Sequence, residues 1–504
     1  MISTRKGSER GHSAKKGSAD PVDALLIKTV DAGDRPPVEF FKKTGWAAPA
    51  FLLEGGAGGW FDGRFSLMGG APFAVFQSKG ASMRFEALFD RGRSSFFRKG
   101  DPLAVLREMF DQMRPRRGAP PVERGTAPLP FLEGGAVGFF SYDLARQFER
   151  IPAPIDDDPS LPDIHLLFLN LYIIFDHPLN RLYLIFNPAP ETLLGKDPEL
   201  VLEEGKKKLE ILQKRLEGPD LFDPDPPCAA PPRIQADLPR RRYIQMVRRA
   251  KEYIAAGDIF QANLSHRFTA PFHFPSALPL YKRLRTINPS PFSAYLDLGE
   301  LQIASASPER LVRVENGWIE TKPIAGTRPR GKTPSEDEEM IRALYESEKE
   351  RAEHLMLVDL ERNDLGKICR YGSIQVERLM SLEKYSHVLH LVSHIRGELA
   401  PGTSLSQVLK AVFPGGTITG VPKIRCMEII SELEGRSRGV YTGAIGYIGF
   451  NGALDLNIAI RTLVRREGEI TFHVGAGVVA DSDPDAEYQE TLQKAAALIK
   501  ALEG

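Results

Sequence analysis

Ser347-Glu-Lys-Glu-Arg-Ala-Glu-His-Leu-Met-Leu-Val-Asp-Leu-Glu-Arg-Asn-Asp364 is the stretch on which the reading of this chain turns. Glu350 and Glu353 stand three apart, so a helix places both carboxylates on one face. Like charges at that spacing cost an isolated helix about 0.2–0.5 kcal/mol. Lys349 and Arg351 can offset this on a solvated acidic face. Alternatively, a hard divalent cation such as Mg2+ can take the carboxylate oxygens and keep waters for a substrate. The spacing recurs at Glu487 and Glu490, and two such helices could cradle one Mg2+ together with a carboxylate ligand. The residues alone leave both arrangements open, because the two pairs could equally lie apart on the surface.

Bulk composition narrows the field. With 504 residues the chain can hold more than one domain, since single cores stop growing near ~250–300 residues. Lys plus Arg and Asp plus Glu each total 66, so a formal net charge of zero gives no overall attraction to nucleic acid or anionic membrane. Cys228, Cys369 and Cys426 form no CxxC pair, which disfavours a disulfide framework or zinc site and fits a reducing cytoplasm. Residues 1–20, rich in Lys, Ser and Gly, read as a disordered tail and not a signal peptide. The longest apolar run, residues 166–175, is interrupted by Asn170 and reaches about half the ~20 residues of a membrane helix. A cytoplasmic protein with neither membrane nor nucleic acid as partner is expected. A basic cluster, Arg240 to Arg242 with Arg248, Arg249 and Lys251, keeps a non-catalytic RNA-binding protein as a remote alternative, although Tyr243 is its only interleaved aromatic.

Short apolar and aromatic runs bounded by Gly, Pro, Asn or Asp predict strands at residues 51–53, 73–76, 136–140, 166–175 and 182–186. Asp197-Pro198 predicts a helix cap, and the Leu202, Leu209, Leu212, Leu216 stripe carries that helix to about Gly218. Residues 218–239, dense in proline and aspartate, read as a linker between an N-terminal region over 21–217 and a second domain over 240–504. Beyond it, Tyr243, Met246, Val247, Ala250 and Ile254 keep helical spacing up to Gly257. Strands are predicted at 259–268, 292–298, 301–305, 311–314, 439–450, 458–464 and 470–479. Thr333-Pro-Ser-Glu336 is a capping box that opens a helical stretch leading into Glu350 and Glu353, and a last helix begins near Asp483-Pro484. Helices and strands mix without strict alternation, so the expected class is α+β, with large, mainly antiparallel sheets flanked by helices.

Three glycine-rich segments fail as nucleotide sites. Residues 415–420 have the G-x4-G frame, but Val421 stands where a phosphate loop needs lysine. Gly475-Ala476-Gly477-Val-Val-Ala480 matches a dinucleotide fingerprint by letters, yet no helix opens there. Gly134-Gly-Ala-Val-Gly138 has the wrong spacing. Such glycines instead let the backbone approach a small anionic ligand or turn tightly. His390, on an otherwise apolar stretch, reads by itself as a satisfied core histidine. Arg461, flanked by Ile458, Ile460 and Leu463, needs an anionic partner, because a desolvated guanidinium is otherwise costly. A carboxylate ligand would meet it as a fork.

Four longer segments carry a resemblance: Lys322-Pro-Ile-Ala-Gly-Thr-Arg-Pro-Arg-Gly331, Arg351-Ala-Glu-His-Leu-Met-Leu-Val-Asp-Leu360, Phe413-Pro-Gly-Gly-Thr-Ile-Thr-Gly-Val-Pro-Lys423 and Ala476-Gly-Val-Val-Ala-Asp-Ser482. Together they resemble the chorismate-utilising enzymes, and among these the large subunits of anthranilate synthase and aminodeoxychorismate synthase. The likeness is strong from about residue 237 to the end. It reaches into the first half through Phe51-Leu-Leu-Glu54 and residues 134–143. It implies the anthranilate synthase component I-like fold, with 240–504 as the catalytic domain. It further implies that Glu353 and Glu490 hold Mg2+, with Glu350 and Glu487 alongside, and that the metal anchors the ring carboxylate of chorismate. Gly326, Thr327, Tyr441, Arg461, Gly475, Ala476, Gly477 and Lys423 fall on substrate-contacting positions. Glu309 matches the acid that helps the C4 hydroxyl depart, and His390 matches the active-site histidine, which reverses its reading as a core residue. In water-using relatives a lysine activates water at the position of Gln261. A neutral amide cannot be that base, so ammonia is the expected nucleophile. No cysteine lies in a Gly-x-Cys-x-Gly elbow, so a separate glutamine amidotransferase subunit is expected to release ammonia from glutamine.

The product is read from two sets of residues. Ala325 resembles anthranilate synthase, since many aminodeoxychorismate synthases carry there a lysine that attacks the ring. Gln261-Ala-Asn263-Leu, Ser293-Ala-Tyr295, Ser307-Pro-Glu-Arg310 and Asp455-Leu-Asn457-Ile resemble the aminodeoxychorismate side and outweigh it. The expectation is 4-amino-4-deoxychorismate, leading to p-aminobenzoate and folate, with anthranilate for tryptophan synthesis as the alternative. Anthranilate synthases also show Leu-Leu-Glu-Ser near the N-terminus. Gly55 replaces that serine here, so tryptophan feedback is expected to be weak.

Overall fold

Strand Ala50–Gly55 is buried along nearly its whole length, and its neighbours show why. In the computed structural model, which describes residues 25–89, 92–114, 129–131, 133–193, 195–219, 232–384 and 388–504, it pairs with Phe65–Gly70 on one side and Phe292–Asp297 on the other. The expected tail at 1–20 and the middle of the expected linker, 220–231, lie outside these residues. The Ala50–Gly55 to Phe292–Asp297 pairing joins the two halves of the chain. On its N-terminal side the sheet runs through Phe65–Gly70, Leu171–Asp176 and Arg181–Phe186 to Leu26–Asp31. On its C-terminal side it runs through Leu301–Ser307, Thr462–Arg466 and Glu469–Val478 to Gln261–Pro271. A second sheet is joined the same way, by Gly135–Phe140 against Ala444–Gly449. Both sheets have twelve strands among the described residues. Each is built jointly by the two sides of 218–239.

The sheets face each other across Leu53, Leu67, Val137, Phe139, Leu167, Ile303 and Ile445. The first is covered outside by Pro198–Glu217, Leu278–Ile287 and Pro484–Glu503 through Leu209, Leu216, Leu284 and Leu498. The second is covered by Pro102–Gln112, Glu348–Gly366 and Leu405–Val412 through Leu106, Val358, Leu365 and Leu409. Each such side chain contributes ~1.5–3 kcal/mol on burial. Two-sided burial also explains why so many strands read as unbroken apolar runs rather than alternating ones. The expected α+β class with antiparallel sheets flanked by helices holds. Among the described residues no helix is long and apolar enough to cross a membrane.

The caps at Asp197, Thr333 and Asp483 are all observed. Three expectations are corrected. Residues 166–175 form two strands, Ile164–Leu169 in one sheet and Leu171–Asp176 in the other. At the corner the buried Asn170 amide donates to Glu191 Oε1 at 2.6 Å. The stretch from Thr333 is two helices, because Ser347 ends Pro334–Glu346 and caps Glu348–Gly366 by accepting from the Glu350 amide. Ser347-x-x-Glu350 carries the same signature as the cap at Thr333. The strand expected at 458–464 begins only at Thr462, since Arg461 turns into the left-handed region with φ of 50°. The basic cluster lies on helix Arg240–Ala255, where Arg240 pairs with Asp485, Arg249 with Glu252, and Lys251 donates to the Ser482 carbonyl. Its charge is thus partly neutralised within the chain.

Candidate active site

The site starts from two glycines on Glu469–Val478. A Cβ on Gly475 would lie 2.7 Å from Asn263 Oδ1 and 2.9 Å from Tyr441 Oη, and one on Gly477 would lie 2.6 Å from Gln261 Nε2. Any larger residue would push these side chains off the strand. With glycine, Asn263 and Tyr441 close over a cavity of about 190 Å3 that is lined also by Glu309, His390, Thr417, Arg461, Gly475 and Lys494. Ala476 alternates to the opposite face of the strand, opposite Leu264. Gln261 shares the face of Asn263 but does not line the cavity; its buried Oε1 has no hydrogen-bond partner among the described residues.

Three groups set the electrostatics. Burial pushes the Glu309 carboxyl up to about 8, and the nearby Glu361 carboxylate adds to the shift against the Thr417 hydroxyl and Arg461. Glu309 therefore carries a proton at neutral pH and can deliver it. Burial pushes the His390 imidazole down to about 4, with Arg461 contributing, so the ring is neutral; it is hydrogen-bonded to the Gly326 backbone. Burial also lowers the Arg461 guanidinium below its ordinary value. Its Nη1 reaches Asn288 Oδ1 at 3.3 Å, and it makes no ion pair among the described residues. A half-buried cation on a strained backbone, lining a cavity, fits an incoming carboxylate.

Lys494 was not singled out in the sequence. It donates to the Gly475 carbonyl at 3.0 Å and pairs with Glu490 at 2.7 Å. Its spacing, four after Glu490 and seven after Glu487, put it on the same helical face, which was the available clue. Lys423, expected to touch substrate, lies outside the cavity. Its ammonium is held by Asp364 and by the Val412 carbonyl at 3.1 Å, a tether that gives the helix Lys423–Glu434 its place. Ala325 does not line the cavity, although Ile324 does; its carbonyl accepts from His354 Nδ1 at 3.3 Å. Gly326, at φ of 86°, follows it, and the Thr327 backbone pairs with His390 across the adjoining strands.

The acidic helices face each other. Burial raises the Glu353 carboxyl, and Glu350, Glu487 and Glu490 raise it further against the charge of Lys349. Glu350 Oε2 and Glu487 Oε2 are buried without a hydrogen-bond partner among the described residues. A Cβ on Gly326 would stand 3.3 Å from that Glu350 oxygen, so glycine keeps the space beside it open. Three other oxygens are engaged: Glu350 Oε1 by Arg328, Glu487 Oε1 by Ser482, and Glu490 Oε1 by Lys494. In this arrangement no three carboxylates or imidazoles among the described residues converge in one coordination sphere. Orphaned carboxylate oxygens on opposed acidic helices are what a hard divalent cation satisfies, so the residues present fit Mg2+.

Comparison with known proteins identifies the family. Residues 62–500 match the chorismate binding enzyme family. The chain is 42% identical over 477 residues, 94% of its length and 97% of the relative's, to anthranilate synthase component 1 of Thermus thermophilus. It is also 42% identical over 452 residues, 90% and 91% of the two lengths, to aminodeoxychorismate synthase component 1 of Bacillus subtilis. Its structure is similar to that of anthranilate synthase component I from Streptococcus pneumoniae, with a TM-score of 0.72 at 34% identity, covering 86% of this chain and 92% of that one. Two differently named relatives at equal identity do not decide the product, but the extent of the matches decides the family: the chain belongs to the chorismate binding enzymes.

Proposed function

We propose that the chain is a cytoplasmic aminodeoxychorismate synthase large subunit, converting chorismate and ammonia to 4-amino-4-deoxychorismate and water. The ammonia is released from glutamine by a separate amidotransferase subunit. Arg461 receives a carboxylate of chorismate, which supplies the anion that its half-buried guanidinium lacks among the described residues. Glu309 gives its proton to the departing C4 oxygen as the C–O bond breaks. The ammonia lone pair forms the C–N bond, and one of its protons returns to the Glu309 carboxylate, leaving the neutral amine and water. Glu353 and Glu490, with Glu350 and Glu487 alongside, would hold Mg2+, which supplies charge neutralisation for the ring carboxylate.

The choice of product is carried by Gln261-Ala-Asn263-Leu, Ser293-Ala-Tyr295, Ser307-Pro-Glu-Arg310 and Asp455-Leu-Asn457-Ile, from which Asn263 and Glu309 line the cavity. The Asn263 amide lies in the cavity wall, with a buried Oδ1 that has no hydrogen-bond partner among the described residues. Such an oxygen is an acceptor for an N–H of the entering nitrogen. Ala325 favours a second reading, formation of anthranilate and pyruvate, because alanine cannot form the covalent adduct of a lysine. Incubation with chorismate, Mg2+ and ammonium, with and without an aminodeoxychorismate lyase, separates the two. Lyase-dependent p-aminobenzoate is expected, whereas fluorescent anthranilate without lyase would establish the second reading.

A further inference from the structure

The helix Glu348–Gly366 buries more than its apolar residues. His354, Leu357, Val358, Glu361, Asp364 and Leu365 form one stripe at helical spacing, packed against the strands Ile324–Pro329 and Val388–Glu398. Apolar side chains suit such a face, yet Glu361 is only 4% exposed and Asp364 2%. Asp364 has its cations, since Lys423 holds one carboxylate oxygen and Lys367 reaches the other at 2.9 Å. Glu361 has no such cation among the described residues: Lys423, whose field reaches it, is held by Asp364.

Glu361 instead lies behind the reaction cavity. The Gly416 amide and the Thr321 hydroxyl face its carboxyl, while Thr417, next in the same loop, and the Ile324 amide face that of Glu309. One loop and one connection between strands therefore lie against both carboxyls. Gly416 permits the approach, because a Cβ there would stand 3.3 Å from Glu361 Oε1 and 2.4 Å from Leu360 Cδ2. Glu309, Ile324 and Thr417 line the cavity, whereas Glu361 does not. Two carboxyls buried against one loop do not both ionise readily. Burial, with the Asp364 charge, pushes Glu361 up to about 7, and burial, with the Glu361 charge, pushes Glu309 up to about 8. Lys423 favours the charged form of Glu361, so Glu361 releases its proton first and its charge retains the one on Glu309. Of the other groups around the pair, Arg461 draws Glu309 toward its anion, His390 is neutral, and Lys367 is engaged by Asp364. A substrate carboxylate on Arg461 cancels that pull.

We propose that Glu361 is a positioning residue for the reaction acid, a buried carboxylate behind the cavity that keeps on Glu309 the proton destined for the departing oxygen. This role rests on the reading of Glu309 as the acid that protonates the C4 oxygen. It accounts for a carboxyl on an otherwise apolar helix face and for the loop glycine that lets it approach. Once Glu309 has given its proton away, two neighbouring carboxylates repel each other. That repulsion favours return of a proton from the newly bound nitrogen to Glu309, which restores the acid for the next turnover.

The test is the pH profile of kcat at saturating chorismate, Mg2+ and fixed free ammonia. Glu361→Gln keeps the shape and an acceptor for the Gly416 amide but removes the charge. Glu361→Met, which suits an apolar helix face, removes the charge as well and serves should the glutamine variant fail to fold. Glu361→Asp keeps the charge. Both neutral variants are expected to stay close to the parent at pH 6.5 and to fall about three- to tenfold below it at pH 8.5, as the alkaline limb moves down by ~0.5–1 unit. KM for chorismate should stay within about twofold of the parent, and Glu361→Asp should retain the parent's limb. An alkaline limb that does not move, or a loss by the same factor at both pH values, would show a merely structural role and overturn the proposal alone. A parent without an alkaline limb, together with undiminished turnover in Glu309→Gln, would overturn the reading of Glu309 as the acid and the proposal with it.

Discussion

Glu309 is a carboxyl whose burial outweighs every group around it, and two consequences follow from its titration near 8. As the acid, it must be protonated, so turnover at fixed free ammonia is expected to fall as pH rises through about 8, and Glu309→Gln should lose ~100-fold or more at pH 7. Between pH 4.5 and about 8 the folded chain keeps a proton that the unfolded chain releases, so this group's contribution to stability declines with rising pH, by up to ~1.4 kcal/mol per unit. Thermal melts of Glu309→Gln should therefore show a gain over the parent at pH 8 that shrinks at pH 5; equal differences at both pH values would contradict the assignment. At Arg461, with φ of 50°, glycine relieves strain that alanine keeps. Both substitutions should raise KM for chorismate, with Arg461→Gly the more stable by about 1 kcal/mol. A Cβ on Gly55 would lie 2.2 Å from the Phe65 carbonyl, so serine has no room there and micromolar tryptophan is expected to leave turnover unchanged. Part of the site was legible at this scale, because Glu309, His390, Tyr441, Arg461 and Gly475 fall on positions that the family resemblance marks, and all five line one cavity. Lys494 was not, because an i,i+4 partner of Glu490 looks like ordinary helix support. Lys423 was marked by the resemblance alone, whereas its tether to Asp364, a tertiary contact, leaves no local trace in the sequence.

The two acidic helices are elements whose meaning depends on meeting. Spacing gave each pair its face, but only the fold brings Glu353 into the field of Glu487 and Glu490. Glu353→Gln and Glu490→Gln are each expected to cut turnover ~100-fold or more and to abolish the rise in melting temperature that Mg2+ gives the parent. A variant with near-normal activity that still requires Mg2+ would remove that residue from the metal shell. Element boundaries were readable where local chemistry sets them, as at the caps Asp197, Thr333 and Asp483. They were unreadable where tertiary position sets them. Asn170 divides an apolar run between two sheets, and Arg461 delays a strand by turning left-handed, yet neither residue type enforces a break by itself.

At the scale of the molecule, the class was legible from mixed helices and antiparallel strands, but the partnership of the halves was not, because pairing between distant strands leaves no local trace. Phe292–Asp297 and Ala444–Gly449 both take partners from the first half. Residues 240–504 expressed alone would expose those two strand edges and are expected to aggregate, whereas co-expression with the first half should restore a soluble, active species. The whole chain without a partner is expected to use ammonium at alkaline pH and to leave glutamine untouched; glutamate release by the purified chain alone would contradict the two-subunit account. The central claim is the fate of nitrogen and of the enolpyruvyl group, and it is tested most directly by mass analysis of the product formed from chorismate, Mg2+ and isotopically labelled ammonium. The account predicts labelled 4-amino-4-deoxychorismate with the enolpyruvyl side chain still attached and no free pyruvate. Labelled anthranilate with an equivalent of pyruvate would contradict it.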